Sequence, residues 1–317
     1  MGLFGSRPSS RMLAVLALVA TTALWGASYP MIKQLIDVFP PCTLGVLRLA
    51  IALAVLLPVL LLKGGRPCFG RASVLLGITG VAAFQLFQNY GMERMPAGSA
   101  VIVLFGSSVV FTMVLGCALL GERCSTPMVV ALIGSGAGVV LVTIGSGGAI
   151  GFPLVGLALM LASALAWSVF AIIGRKSMGA GDLSEINVAA LIVGLVLMLP
   201  FAAYERPDTR DISVSANDLF SLVVLGAVVT AGTYFFWSYS IRHLQANEAS
   251  VLCSIEPAFG LVFAWLLLQE GISMQETIGA AVIVASCVLV ARGERVSVDE
   301  PVAIEVEVQG ASMLVAL

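Results

Sequence analysis

Residues 23–58 read ALWGASYPMIKQLIDVFPPCTLGVLRLAIALAVLLP, and residues 165–200 read LAWSVFAIIGRKSMGAGDLSEINVAALIVGLVLMLP. Laid over one another without a gap, at an offset of 142, they bring Trp25 onto Trp167, Lys33 onto Arg175 and Pro58 onto Pro200. Leucine matches are cheap in so apolar a chain and are discounted. The correspondence resumes at an offset of 149, where Asn89-Tyr90 meets Ser238-Tyr239, Arg94 meets His243 and Ala97 meets Ala246. Leu119-Leu120-Gly121-Glu122 then meets Leu267-Leu268-Gln269-Glu270 at 148, so a one-residue gap falls in between. The chain carries an internal duplication.

What is duplicated follows from composition. Of 317 residues, 59% are hydrophobic and 11% charged; mean hydropathy is +1.05. A soluble globular chain carries roughly 25% charged residues, and disorder needs low hydrophobicity. Both are excluded, which leaves a chain solvated mainly by lipid. A bilayer core needs about 20 apolar residues in helical form. Such runs occupy 12–32, 42–62, 72–92, 97–120, 127–145, 153–174, 185–204, 217–241, 246–268 and 274–291. Prolines 40, 41, 96, 127 and 153 fall between runs or near helix starts, where a missing N–H costs least. Ser273 to Glu276 reads as a capping box. The net charge of −2 has no long basic block, which argues against nucleic acid. Six scattered cysteines, no CxxC pair and a single histidine, His243, argue against a metal site. The cysteines read as small buried hydrophobes.

Each copy holds five runs, an odd number, so the second copy enters the membrane the opposite way up. Inverted repeats of this kind are a common architecture of secondary transporters, with the substrate site near the midplane between the halves. With a cytoplasmic N-terminus, eleven of the 16 Lys and Arg fall in inside segments. Only Lys33, Arg94, Arg206 and Arg210 fall outside, which satisfies the positive-inside rule. The first run continues past Trp25 with no small-residue cleavage site, so it reads as a helix rather than a signal peptide.

These residues resemble the EamA-type members of the drug/metabolite transporter superfamily over residues 12–292. The resemblance rests on Ala23 to Pro30, Leu47-Arg48-Leu49, Leu119 to Glu122, Glu256-Pro257 and Leu267 to Glu270, in that order. It implies ten helices in two inverted halves, cytoplasmic ends and export of metabolites such as amino acids, out of the cell across the inner (plasma) membrane. Many such relatives carry a proline in mid-helix 4, where this chain has Ser107-Ser108. The two halves are therefore expected to bend unequally.

Ionisable groups at membrane depth are expensive and need a reason. Glu256 lies ten residues into the ninth run, beside Pro257, which kinks the helix and frees a carbonyl. It is the candidate proton site; the structural alternative is a neutral carboxyl bonded to the freed backbone. Arg48 in the second run is the candidate anion or ion-pair site, or snorkels to the interface. Gln85 and Asn89, four apart, share a face beside Tyr90. Tyr234 and Trp237 share another, with Ser238 alongside. Trp25 and Trp167, with Ser28 and Tyr29, complete the candidate cavity lining; core packing and an interfacial aromatic belt are the alternatives. Pro30 and Pro257 are candidate hinges. Gly134 and Gly138 form a GxxxG that favours close helix packing. Glu122 and Glu270 read as carboxylates placed for a helix N-terminus.

Other classes fare worse. Gly179 to Asp182 has the GxGD look of an intramembrane protease but lies in a loop, with no second acid at depth. A channel would want charge rings or carbonyl-lined loops. No nucleotide-binding loop is present, so ATP is not expected as the energy source. The expectation is an all-α integral membrane protein. It comprises an N-terminal segment 1–11, a repeat at 12–145, its inverted copy at 153–292 and an acidic tail at 293–317. A single chain would carry a small-molecule substrate through a central cavity, with or without protons and without a cofactor. The alternatives kept open are a broad drug-efflux carrier and an uptake carrier.

Overall fold

Proline and glycine punctuate the apolar runs, and the helices start and stop there. The computed structural model of the chain describes residues 10–121, 126–145, 154–176, 182–205, 214–240, 243–244, 249 and 252–293. The N-terminal segment up to residue 9, Glu122, residues 179–181 and the tail beyond Gly293 lie outside the described residues, as does the side chain of Ser238.

The helices are α1 (Ser10–Ile36), α2 (Pro41–Leu62), α3 (Arg71–Met92), α4 (Ala97–Leu115), α5 (Thr126–Gly145), α6 (Leu154–Lys176) and α7 (Leu183–Tyr204). Helix α8 runs from Ala216–Val223 through a π-helical stretch, Val224–Gly232, to Thr233–Ser240. Helices α9 (Glu256–Leu268) and α10 (Met274–Gly293) follow. No strand occurs among the described residues. Seven helices, α1–α4 and α6–α8, are long and apolar enough to cross a membrane. The other three carry shorter apolar stretches, Val129–Val142, Glu256–Leu268 and Met274–Ser286. Of the cysteines, Cys42 is buried and Cys68 exposed, while Cys117 is disulfide-bonded, so neither of the last two is a simple buried hydrophobe.

The ninth run is not one helix with a kink. Ser254 and Ile255 form a turn, and α9 starts afresh at Glu256. Ala258 N and Phe259 N both donate to the Ile255 carbonyl, at 3.0 and 3.2 Å. Pro257 has no N–H to offer, and its ring crowds the carbonyl four residues back. Glu256 therefore sits in the first turn of a helix rather than in the middle of one. Helix α4, with Ser107-Ser108 at the matching place, runs unbroken from Ala97 to Leu115. Pro30 is accommodated inside a continuous α1.

Packing repeats between the halves. Helix α1 packs on α9 and α8, and α6 packs on α4 and α3; α2 pairs with α7, α4 with α9 and α5 with α10. Exchanging each helix for the one five places away maps these contacts onto themselves. Gly77 in the π-helical part of α3 touches α7 so closely that a methyl group there would lie 2.6 Å from the Ala190 carbonyl and 2.7 Å from Val193 Cβ. Gly226, in the π-helical part of α8, meets α2 the same way, 3.0 Å from the Arg48 carbonyl and 2.6 Å from Ile51 Cβ. These residues are repeat partners at offsets of 149 and 142. The GxxxG of α5 seats on α10, where a methyl on Gly138 would lie 2.8 Å from the Gly279 carbonyl.

Charged side chains close the ends. Glu205 accepts from Cys42 N and Thr43 N, both at 2.7 Å, at the start of α2. Glu270 accepts from Ala97 N at 2.9 Å and Gly98 N at 3.0 Å, so it caps α4 rather than the helix that follows it in sequence. A carboxylate there meets free N–H groups and the positive end of the helix dipole. The capping box at Ser273 forms, with Ser273 N donating to Glu276 Oε2 at 2.9 Å and Glu276 N to Ser273 Oγ at 3.1 Å.

Two stability predictions follow from this packing. A methyl group on Gly26 would fall 2.8 Å from both Gly260 N and Phe259 Cβ of α9. Gly26→Ala should cost about 1–3 kcal/mol, read as a lower melting temperature in detergent; an unchanged melting temperature would contradict the α1–α9 contact. Gly121, which ends the π-helical continuation of α4 over Gly116–Leu120, and its repeat partner Gln269, which ends α9, are both left-handed, at φ 69° and 55°. Only the second pays the Cβ clash, so Gln269→Gly should stabilise by about 1 kcal/mol. A lowered midpoint of denaturation would contradict that helix end.

Candidate functional site

Helix α1 sets the site, because Trp25 and Tyr29, one turn apart, project from one face. Trp25 packs at 5.6 Å against Trp237 of α8, the rings tilted by 37°, and meets Trp167 of α6 edge-on at 6.4 Å. Trp167 in turn lies 5.3 Å from Phe84 and 5.2 Å from Phe170. Trp25 Nε1 donates to Thr233 Oγ1 at 3.3 Å. Three tryptophans from α1, α6 and α8 thus meet between the halves.

One turn along α1, the buried Tyr29 donates through Oη to Glu256 Oε1 at 3.5 Å, a long contact. Its hydroxyl also lies within electrostatic reach of Arg48, with Gln88 close by. Arg48 Nε donates to Thr230 Oγ1 at 2.7 Å, and Thr230 Oγ1 donates to the Leu225 carbonyl at 2.8 Å. That last bond spans five residues, along the π-helical stretch of α8. Arg48 Nη1 is buried without a hydrogen-bond partner, and so are the side-chain oxygens of Gln85, Gln88 and Asn89. Arg48 makes no ion pair with a carboxylate among the described residues, so it neither snorkels into a surface pair nor bridges to Glu256.

The remaining residues singled out in the sequence scatter. Ser28 Oγ bonds back to the Trp25 carbonyl at 2.6 Å. Gln85 and Asn89 do share a face, which looks onto Gly45 of α2, and Asn89 Nδ2 donates to the Pro41 carbonyl at 2.9 Å. Tyr90 Oη donates to Glu205 Oε1 at 2.5 Å, at the end of the bundle rather than its middle. Tyr234 and Trp237 part company. Tyr234 Oη accepts from Asn187 Nδ2 at 3.0 Å on α7, while Trp237 turns to α1. A cavity of about 240 Å³ is lined by Pro96, Gly98, Leu261 and Glu270 among others, at the α4–α9 end and away from the tryptophans. Sequence reading missed Thr230 as the partner of Arg48. No group of three or more His, Cys, Asp or Glu is placed to hold a metal among the described residues.

The arrangement holds a half-buried cation, a buried carboxyl, a buried phenol and the unpaired amide oxygen of Gln88 near an aromatic cluster, between helices of opposite halves. It can hold a polar solute with an apolar body. The model of the EamA-like transporter family matches the chain twice, over residues 12–144 and 154–292. An "Uncharacterized transporter" of Archaeoglobus fulgidus is 26% identical over 280 residues, covering 87% of this chain and 98% of that one. A "Probable terminal-alkyne amino-acid exporter" of Streptantibioticus cattleyicolor is 27% identical over 286 residues, 88% of this chain and 93% of its own. A "Probable amino-acid metabolite efflux pump" of Escherichia coli is 26% identical over 287 residues, 86% of this chain and 93% of its own. A solved crystal structure superposes with a TM-score of 0.66 at 17% identity, over 92% of this chain and 99% of that one, and so shares the fold. This integral membrane chain is a transporter rather than an enzyme, and it belongs to the EamA-like transporter family.

Proposed function

We propose that the protein is a secondary carrier that exports small amphipathic metabolites, amino acids first, from the cell. Two inverted five-helix halves, 12–145 and 153–292, alternate their exposure of a central site across the plasma membrane, with both chain ends in the cytoplasm. The observation that carries this reading is the set held at depth between α1, α2, α8 and α9: Tyr29 on Glu256 and Arg48 on Thr230. The duplicated family match and the exchange-symmetric packing support the two halves. The names of two relatives favour amino-acid cargo. The aromatic core joins α1, α6 and α8 in this conformation. Bending at Pro30 and at the helix break before Pro257 opens it, since both lie where the α1–α9 contact is made.

Glu256 is the group that would carry a coupled proton. Proteoliposomes loaded with a mixed pool of amino acids and related metabolites, followed by mass spectrometry with and without a pH gradient, test this. Wild type should release a selected subset faster under the gradient, and Glu256→Gln should lose that response while still moving solute. A selective flux indifferent to the gradient in both proteins would make the carrier facilitative and Glu256 a structural residue of the helix break. Absence of any solute flux would overturn the transport reading.

A further inference from the structure

The repeat matches every residue of the quadrant built by α1, α2, α8 and α9 to one in the quadrant built by α6, α7, α3 and α4. Tyr29 answers to Ala171, Arg48 to Ala190, Thr230 to Val81 and Glu256 to the Ser107-Ser108 pair. The backbone packing is shared: Gly226 seats on Arg48 and Ile51 as Gly77 seats on Ala190 and Val193. The chemistry is not. Between α4 and α6 the second quadrant has small hydroxyls instead, Thr112 Oγ1 donating to Ser168 Oγ and Ser168 Oγ to the Ser108 carbonyl, both at 3.0 Å. The same fold therefore packs once with a half-buried cation and a buried carboxyl and once without. Since ionisable groups at membrane depth are costly, the fold does not require the charges in the first quadrant.

Nor do those charges neutralise one another. Tyr29 stands between them, reaching Glu256 at 3.5 Å and lying within electrostatic range of Arg48. Arg48 Nη1 has no partner, and neither has Gln88 Oε1, on a side chain only 3% exposed beside the phenol. A planar guanidinium suits a carboxylate, which it can grip with two parallel hydrogen bonds. A carboxylate and an amide oxygen suit an ammonium, which donates and never accepts. Trp25, one turn from Tyr29, and Trp237 against it supply an apolar wall.

We propose that the polar set around Tyr29 is a binding site for a zwitterionic α-amino acid with an apolar side chain. Arg48 takes the carboxylate, Glu256 and Gln88 take the ammonium, and the side chain rests on Trp25 and Trp237. The proposal rests on the transport reading above and sharpens it, because it assigns the two charges of the cargo to named residues.

Competition binding to the full-length protein in detergent tests it, with radiolabelled L-leucine and L-phenylalanine. The competitors are their analogues without an ammonium (4-methylpentanoate, 3-phenylpropionate) and without a carboxylate (3-methylbutylamine, phenethylamine). Each analogue should compete at least about 30-fold more weakly than its parent, the loss expected when one partner of a buried charge pair is removed. Arg48→Gln should erase the preference over the amines alone, and Glu256→Gln the preference over the acids alone. Arg48→Lys keeps the charge and should keep the ranking with weaker binding, which guards against a variant that fails to fold. Ser107→Ala, in the other quadrant, should change nothing. Parents and analogues binding alike, or Ser107→Ala acting like Glu256→Gln, would overturn the site. So would failure of both amino acids to bind while the liposome assay moves some other solute, an outcome that leaves the transport reading standing.

Discussion

A polar group in hydrocarbon must find its partner inside the protein, and that constraint arranges most of this structure. At the bundle ends, carboxylates from one helix bond the free N–H groups of another, as Glu205 does for α2 and Glu270 for α4. Lys33 Nζ does the reverse for a helix C-terminus, donating to the Met92 carbonyl at 2.7 Å. These bonds join helices distant in sequence, so capping also serves as the bundle's end-to-end fastening. In the middle the same constraint is met less completely. Glu256 has one long bond, Arg48 Nη1 has none, and three amide oxygens are left over. The ends of the bundle are thus closely bonded, while the polar groups beside Tyr29 are left under-satisfied.

Duplication explains how such a spot is tolerated. Two copies of one packing scheme bind each other through close helix contacts at Gly26, Gly77, Gly138 and Gly226, and those contacts need shape rather than charge. Once shape carries the fold, one copy is free to hold costly polar groups. The break before Pro257 belongs to the same asymmetry. Helix α9 restarts beside the carboxyl, while α4 passes Ser107 unbroken, so the half that carries Glu256 is also the one with a ready joint.

Much of this was legible in the sequence. Apolar runs bounded by proline located α1 to α4 and α6 to α8 within a few residues, and the match of Trp25 with Trp167 announced the duplication. The GxxxG and the capping box at Ser273 stood as read. Three features were not legible, each for a physical reason. A hydropathy run cannot register the turn at Ser254 and Ile255, because a buried turn is as apolar as a buried helix. Residues three apart on a helix differ by about 60° in direction, enough for Tyr234 to reach α7 and Trp237 to reach α1, so a shared face did not mean a shared neighbour. Arg48 and Thr230 are 182 positions apart, and their bond depends on a π-helical stretch that no 3.6-residue period foretells.

The central claim is that one under-satisfied polar site is presented to each side of the membrane in turn. Counterflow tests it most directly. Proteoliposomes preloaded with unlabelled L-leucine and diluted into a trace of labelled L-leucine should show a transient, saturable accumulation of label above equilibrium, since unlabelled solute inside outcompetes the entered label for the single site. Label that only equilibrates, at a rate linear in concentration and blind to what is loaded inside, would mean an open path through the bundle and would contradict the account.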